Sequence, residues 1–225
     1  MKRSEINQII DDAITFFESH HFFLPAFARW SPQDWAEKGE ECDEIRNNGL
    51  GWDLTDFGSG DFKKQGLTLF TVRNGNLADG KKTYCEKIML VRNQQVTPAH
   101  FHWLKTEDII NRGGGVLCMR LWHSDQNEVP NNDDIWVQMD GRRTQVIPGE
   151  TIRLQVGESI TFEPMLYHSF WAEEGDCLVG EVSTVNDDAK DNRFWPETGR
   201  FPQIEEDVAP AYSLCTEYLR NQQNA

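Results

Sequence analysis

The stretch that decides the fold is Ile135-Trp136-Val137-Gln138-Met139-Asp140-Gly141-Arg142-Arg143-Thr144-Gln145-Val146-Ile147-Pro148-Gly149. Strand-forming residues lie on both sides of Asp140-Gly141, a dipeptide that favours the tight turn of an antiparallel hairpin. Pro148-Gly149 marks the next turn. The stretch therefore predicts two antiparallel strands over residues 135–139 and 144–147.

Similar strand-like runs lie on both sides of this hairpin, spaced by about ten residues and separated by turns that contain Gly and Pro. They cover residues 67–72, 87–91, 96–103, 116–122, 151–156, 160–162, 168–172 and 178–184. Many short strands at such regular spacing are typical of an antiparallel sandwich or barrel. We therefore expect an all-β fold over about residues 66–200.

Both ends of the chain have helical patterns. About residues 1–65 are predicted to be helical and rich in loops, with an apolar stripe made by Ile6, Ile9, Ile10, Ala13, Ile14 and Phe17. Ser31-Pro32 is typical of a helix start. Within residues 201–225, apolar spacing predicts a short amphipathic helix over Glu205–Arg220. Since no repeat or linker interrupts the pattern, we expect one domain over residues 1–225.

The amino-acid composition limits the kinds of ligand and the cell compartment that we expect for this protein. The 225 residues include 22 Lys and Arg against 37 Asp and Glu, a net charge of −15. This balance opposes binding to nucleic acid and to anionic membranes, and favours a small neutral or cationic ligand. We find no signal peptide and no apolar run near the ~18 residues of a membrane span. Five scattered cysteines without a C-x-x-C pair predict free thiols in the cytoplasm.

One stretch concentrates metal-binding residue types: Thr97-Pro98-Ala99-His100-Phe101-His102-Trp103-Leu104-Lys105-Thr106-Glu107. On a strand, His100 and His102 face the same side about 6.6 Å apart at the backbone, while Phe101 faces the other side. Glu107 offers a carboxylate, and His168 offers a third imidazole from a later strand. An isolated H-x-H pair is often a chance pair, but three imidazoles and one carboxylate predict a site for one divalent metal ion.

The combined spacing resembles that of the cupins. Their first motif is matched by His100-Phe101-His102, Glu107 and Gly114, with four and then six residues between them; their second is matched by Gly157, Pro164 and His168. The chain departs from the pattern at Gln94 and Met165, where glycine is usual, and Pro164 comes one residue late. None of these departures removes a ligand. The resemblance implies a cupin antiparallel β-barrel, the double-stranded β-helix.

Two longer motifs are similar to those of the bacterial D-lyxose isomerases. They span residues 100–115, and residues 180–188 together with 191–194; Phe22-Phe23-Leu24-Pro25 also matches. The resemblance implies an aldose–ketose isomerase that interconverts D-lyxose and D-xylulose, and D-mannose and D-fructose. It implies dependence on a metal, usually Mn²⁺, and a homodimer that pairs through sheet edges. The ligand types themselves also suit Co²⁺, Fe²⁺, Ni²⁺ or Zn²⁺.

The residues supply candidates for such chemistry. Glu181, in an otherwise apolar or small run, is the candidate base that moves a proton between C2 and C1, and Lys105 is the candidate donor to the developing oxyanion. Asp187 and Arg193 are candidates to bind sugar hydroxyls. Phe101 and Trp171, with Trp103 and Phe170, are candidates for an apolar wall against the sugar. Each residue also has a structural alternative: a solvated charge, an ion pair or a core aromatic.

One metal site and no second cluster of carboxylates favour proton transfer through a cis-enediol over a hydride shift. Two rival functions use the same ligand set. An iron-dependent cupin dioxygenase would consume oxygen. A non-catalytic cupin would bind a sugar or a metal without turnover, and Glu181→Gln would leave its affinity almost unchanged.

Overall fold

The computed structural model describes residues 1–77 and 80–218. In them, helices α1 to α3 cover Arg3–Ser19, Pro32–Ala36 and Asp43–Asn47, with short 3-10 helices at Ala26–Arg29 and Glu40–Cys42. Strands β1 to β12 cover Gly51–Thr55, Leu67–Arg73, Tyr84–Val91, Thr97–Phe101, Glu107–Ser124, Pro130–Asn131, Ile135–Met139, Arg142–Val146, Ile152–Leu154, Ser159–Phe162, Leu166–Thr184 and Arg193–Phe194. All strand pairs are antiparallel.

The hairpin predicted at Asp140-Gly141 joins β7 to β8, with Ile135 opposite Val146 and Met139 opposite Arg142. Asp140 and Gly141 both have positive φ, at 50° and 75°, as the twist-compatible two-residue turn requires. The main path of hydrogen-bonded neighbours runs β1-β2-β3-β11-β5-β10-β7-β8. β4, β6, β9 and β12 pair off this path.

The long strands β5 and β11 form the spine of the sheet. They pair along most of their lengths, and the predicted runs 168–172 and 178–184 are the two halves of β11. Their register shifts between Glu173 and Cys177, where Glu174 and Gly175 have φ of 63° and 136°. The C-terminal half of β11 also pairs with β3, whereas its N-terminal half pairs with β4. The bulge bends the strand, so the two halves of β11 can pair with different neighbours, β4 and β3.

We expect Gly114→Ala to destabilise the fold by at least about 2 kcal/mol, because it combines backbone strain with overlap. Gly114 lies opposite the bulge with φ of 89°, and a Cβ there would overlap the carbonyl oxygen of Asp176. Gly141→Ala is the matched control: its φ is 75° with no atom within 4 Å of the added carbon, so it should cost only about 1 kcal/mol. Urea unfolding of both variants tests this, and equal midpoints would contradict the role given to Gly114.

Apolar side chains fill two clusters on opposite faces of the β1-β2-β3-β11 strands. The inner cluster includes Leu69, Met89 and Val179, and continues onto β5 and β10. The outer cluster packs β1 to β3 against α1. The predicted helical stripe is confirmed, since Ile6, Ile10, Ala13, Ile14 and Phe17 are buried and Ile9 is partly buried. The predicted second helix is also confirmed, with Ser31 and Asp34 forming its capping box.

The structure differs from the sequence-based expectation at two places. The N-terminal region, expected to be helical and rich in loops, also contains strand β1, which pairs with β2. The helix predicted over Glu205–Arg220 is absent from residues 205–218; Leu219 and Arg220 lie outside the described residues. Pro210 disfavours a helix there.

The C-terminal segment instead bonds to distant backbone and to the first helix. Arg3 N donates to Glu205 O at 2.9 Å, and Cys215 N donates to Trp52 O at 2.8 Å. The buried Arg3 guanidinium pairs with Glu206 and Glu217. These tertiary contacts replace the predicted local helix. Within the described residues, no helix is long and apolar enough to cross a membrane.

Candidate active site

Three histidines meet at one end of the inner cluster. His100 on β4 lies directly opposite His168 on β11, and His102 follows the last residue of β4. All three are buried, and one ring nitrogen from each lies within 4.8 Å of the others. Alternation along β4 therefore places His100 and His102 on one side, as the sequence predicted.

Each of these rings is held by a backbone carbonyl. Nδ1 of His100 lies 2.8 Å from Pro98 O, Nδ1 of His102 lies 2.5 Å from Asp191 O, and Nδ1 of His168 lies 3.0 Å from Leu166 O. A carbonyl oxygen only accepts, so Nδ1 must carry the proton in each ring. The neutral imidazole then presents the lone pair of Nε2, as metal-ligating histidines commonly do.

The Nε2 atoms face one another and a carboxylate. Nε2 of His100 lies 3.1 Å from Nε2 of His168. Glu107 Oε1 lies 3.1 Å from Nε2 of His168 and 3.3 Å from Nε2 of His102. This oxygen is buried without a hydrogen-bond donor among residues 1–77 and 80–218. Three Nε2 atoms that converge without a shared proton, with a carboxylate oxygen beside two of them, fit a divalent cation, and the 3-His, 1-carboxylate set suits it.

Charge states agree with this fit. Burial lowers the pKa of His100 well below its ordinary value, and the neighbouring His168 and His102 rings lower it further. Burial and the Lys105 ammonium lower the pKa of His102. Burial alone would raise the pKa of Glu107, but Lys105 and the neighbouring His102 and His168 rings together hold that pKa well below its ordinary range. Near neutral pH, the two imidazoles are therefore neutral and the carboxylate is charged, as metal ligands must be.

Lys105 joins the ligand set to the predicted base. Its Nζ lies 2.7 Å from Glu107 Oε2 and 2.9 Å from Glu181 Oε1. Lys105 and Glu181 are both buried, so neither is a solvated surface charge. The sequence around Glu181 suggested that its side chain would lie among apolar neighbours, but the structure places it among charged groups. Its Oε1 also lies 3.5 Å from Nζ of Lys87, which is the residue opposite it on β3.

A chain of charged side chains that the sequence pattern did not predict lies behind Glu181. Nζ of Lys87 lies 3.3 Å from Asp188 Oδ2, which is 3.5 Å from the Arg200 guanidinium, and Arg200 also pairs with Asp53 on β1. Lys87 and Asp53 are buried. For Asp188, burial favours a higher pKa, but Lys87 and Arg200 hold it well below its ordinary range. The sequence signal for these charges is Lys87, a charged residue next to the apolar run Ile88-Met89-Leu90-Val91. Lysine is rarely buried in such a strand unless it is paired with an acidic residue.

A cavity opens beside these groups, with an empty volume of about 440 Å³, part of which is open to solvent. Its polar end holds the three histidines, Glu107, Lys105 and Glu181. Further polar side chains in its lining are Lys87, Asp188, Asn192, Arg200 and Thr97, and the apolar wall comprises Phe57, Leu67, Leu69, Met89, Ile109, Phe170 and Phe194. Such a mixture of an apolar wall and a few convergent polar groups is typical of small-molecule sites.

Two of the predicted sugar-binding residues lie outside this cavity. Asp187 is exposed and pairs with Lys190 at 3.9 Å. Nε of Arg193 lies 3.1 Å from Glu128 Oε2 on the outer side of β12. Their neighbours Asp188, Asn192 and Phe194 line the cavity instead. The loop after β11 thus lies at the site as expected, but the side chains that face the cavity are those next to Asp187 and Arg193.

Of the four aromatic candidates for the apolar wall, Phe170 lines the cavity, whereas Phe101, Trp103 and Trp171 do not. Phe101 is buried on the other face of β4 against Trp103 and Tyr167, with ring centroids 5.4 and 4.7 Å away. Trp171 faces outward, where Arg120 lies over its ring. Because side chains alternate along a strand, the inward position of His168 places Phe170 in the cavity and Trp171 outside it.

Comparisons with known proteins agree with the arrangement. A model of the D-lyxose isomerase family matches residues 1–218. The chain is 51% identical over 224 residues to a D-lyxose/D-mannose isomerase of Escherichia coli O157:H7, covering 97% of this chain and 98% of the relative. It is 50% identical over 226 residues to a D-lyxose/D-mannose isomerase of Serratia proteamaculans, covering 98% and 99%.

Solved structures of L-ribose isomerases have the same fold. The enzyme from Cellulomonas parahominis matches with a TM-score of 0.61 at 15% identity, and that from Acinetobacter sp. DL28 with 0.61 at 17%. Each match covers 91% of this chain and 98% of the other. The predicted all-β cupin fold is thereby confirmed. With a family match over nearly the whole chain and relatives at half identity, this protein is a sugar isomerase and belongs to the D-lyxose isomerase family.

Proposed function

We propose that this protein interconverts D-lyxose and D-xylulose, and D-mannose and D-fructose, in a metal-dependent reaction. The observation that carries the proposal is the position of Glu181: a buried carboxylate, linked by Lys105 to the metal-ligand candidate Glu107, in the lining of the cavity that also contains the three histidines. The two relatives at about half identity are named for the same two aldoses.

In this proposal His100, His102, Glu107 and His168 hold one divalent ion, with Mn²⁺ as the first choice and Co²⁺, Fe²⁺, Ni²⁺ or Zn²⁺ as alternatives. The convergent Nε2 atoms and the donor-free Glu107 Oε1 support this assignment. When bound, the ion would act as a Lewis acid that polarises a sugar carbonyl.

Glu181 moves the proton in the proposed reaction. Both lysines contact its Oε1, and no described residue bonds to its Oε2, so Oε2 is left to accept the C2 proton and return it to C1 through a cis-enediol. Lys105 orients the base and donates to developing negative charge. Asp188, Asn192 and Arg200 line the cavity where they can bond to sugar hydroxyls.

The direct test supplies D-lyxose, D-mannose, D-xylose and D-ribose with Mn²⁺ and assays the ketose products. We expect D-xylulose and D-fructose from the first two. Oxygen consumption by an Fe²⁺-loaded sample without ketose formation would favour the dioxygenase alternative. Binding of a sugar without turnover would favour the non-catalytic one.

We expect turnover in heavy water to place deuterium at C1 of the ketose and, after many reversible turnovers, at C2 of the recovered aldose. A proton held on the Glu181 carboxylate can exchange with water before its return, whereas a hydride that moves directly from C2 to C1 cannot. NMR of both sugars measures the label. Products without deuterium after many turnovers would count against the cis-enediol route.

The chain is proposed to act as one domain over residues 1–225, in a cytoplasmic homodimer. All five cysteines are free thiols, which suits a reducing compartment. β8 ends the main strand path and is mostly exposed, so it offers an edge for pairing between copies, whereas the C-terminal segment covers Trp52 on β1 at the other end of the path. Light scattering of the purified protein measures the assembly, and a mass of one chain would contradict the dimer.

A further inference from the structure

Residues Asp191 to Phe194, here called the site strap, cross the turn that carries His102 and Lys105. This turn, residues 102–106, joins β4 to β5 and contains no helix or strand. Leu104 at its tip is 72% exposed. The turn nevertheless sets the positions of a proposed metal ligand and of the lysine that joins Glu107 to Glu181. Something other than strand pairing must therefore fix its backbone.

The Asp191 side chain supplies that support. Its Oδ1 accepts from the backbone N–H groups of Trp103 at 2.7 Å and Leu104 at 3.0 Å, and its Oδ2 accepts from that of Lys105 at 3.0 Å. The backbone carbonyl of the same residue accepts from Nδ1 of His102 at 2.5 Å. Asp191 is buried, so these bonds replace water. One residue thus fixes three consecutive turn amides and orients the adjacent imidazole.

The rest of the strap strengthens the same contact. The Phe194 ring stacks on His100, with centroids 5.3 Å apart and planes inclined by 30°. Arg193 and the indole Nε1 of Trp103 contact the two carboxylate oxygens of Glu128 at 3.1 and 2.8 Å. The strap therefore contacts the metal-ligand candidate His100 through Phe194, and Glu128 links its Arg193 to Trp103 in the turn.

We propose that Asp191 is a positioning residue that acts through the backbone of residues 103–105, holding His102 in its metal-binding orientation and Lys105 between the two glutamates. This inference rests on the proposed function, because it assigns a role within that metal site. Asp191 does not touch the sugar in this scheme. The two carboxylate oxygens have different partners. Oδ1 accepts from the backbone next to His102, and Oδ2 accepts from the backbone of Lys105.

The test measures Mn²⁺ affinity by calorimetry, at a temperature where circular dichroism shows each variant to be folded. Asp191→Ala should weaken Mn²⁺ binding by about 10- to 100-fold, the usual cost of losing support behind a ligand. Asp34→Ala is the matched control, because Asp34 also accepts a backbone N–H in a turn, at the start of α2 and away from the cavity. It should bind Mn²⁺ like the wild type.

Asp191→Asn keeps the proposal testable if the alanine variant does not fold. Its amide oxygen can serve Trp103 and Leu104, while its NH₂ would face the N–H of Lys105. We expect Mn²⁺ affinity close to that of the wild type but a kcat lower by roughly tenfold or more, since Lys105 is misplaced. A folded Asp191→Ala with wild-type Mn²⁺ affinity, or a folded Asp191→Asn with wild-type kcat, would overturn the proposal. Wild-type protein that binds Mn²⁺ without converting an aldose would instead refute the proposed function and leave the affinity test of Asp191 intact.

Discussion

Replacing His168 by alanine should remove the bound divalent ion and reduce turnover to background. Three imidazoles and Glu107 hold the proposed ion. Loss of any one of these direct ligands should weaken metal binding by more than the about 10- to 100-fold that is lost with a contact behind a ligand. His168 is also central in the geometry, because its Nε2 lies 3.1 Å from both His100 Nε2 and Glu107 Oε1. The same result is expected for His100, His102 and Glu107.

Metal analysis of the four alanine variants after dialysis, together with ketose assays, measures this prediction. His123→Ala is a suitable control, because His123 lies near the end of β5 and does not line the cavity. Chelation of the wild type should stop turnover and leave the fold intact, since burial of the two apolar clusters, and not the ion, supplies most of the stability. Full metal occupancy in the His102 or His168 variant would overturn the ligand assignment.

The ligand set could be predicted because its geometry is mostly local. His100 and His102 share a strand face by simple alternation, and the spacing to Glu107 and His168 follows a recognisable pattern. The same alternation argues against Phe101 and Trp171 in the cavity, since Phe101 lies between two histidines that face inward and Trp171 lies three residues, an odd number, after the inward-facing His168. This information was in the sequence, and the structure shows that it applies at both positions.

Other features depend on contacts between distant segments. Lys87 is separated from Glu181 by more than half of the barrel sequence, and only the pairing of β3 with β11 brings them together. Which of the neighbours Asp187 and Asp188 faces inward depends on an irregular loop, where no period applies. The apolar spacing at the C-terminus predicted a helix, but Arg3 and Trp52 hold residues 205–218 in other conformations. Tertiary contacts overrode local propensity there.

Glu181→Gln should lower kcat by at least about 10²-fold, the low end of the contribution of a general base. The amide keeps the shape of the side chain, and its oxygen can still accept from Lys105 and Lys87. It cannot accept the C2 proton, so only the proton transfer is removed. Mn²⁺ content should match that of the wild type, because Glu181 contacts the ligand set only through Lys105.

Glu173→Gln on the same strand is the matched control. Glu173 lies on the outward side of β11 and pairs with Arg153, so its change should leave kcat close to that of the wild type. Steady-state kinetics and metal analysis of both variants separate the possible roles of Glu181. A loss of kcat with full metal content identifies the base, and retained activity with loss of metal would make Glu181 a ligand and reopen the role of Glu107. The deuterium label adds an independent criterion: if Glu181 carries the proton, exchange at C2 of D-lyxose must fall in Glu181→Gln by the same factor as ketose formation, because both require the same proton to leave carbon.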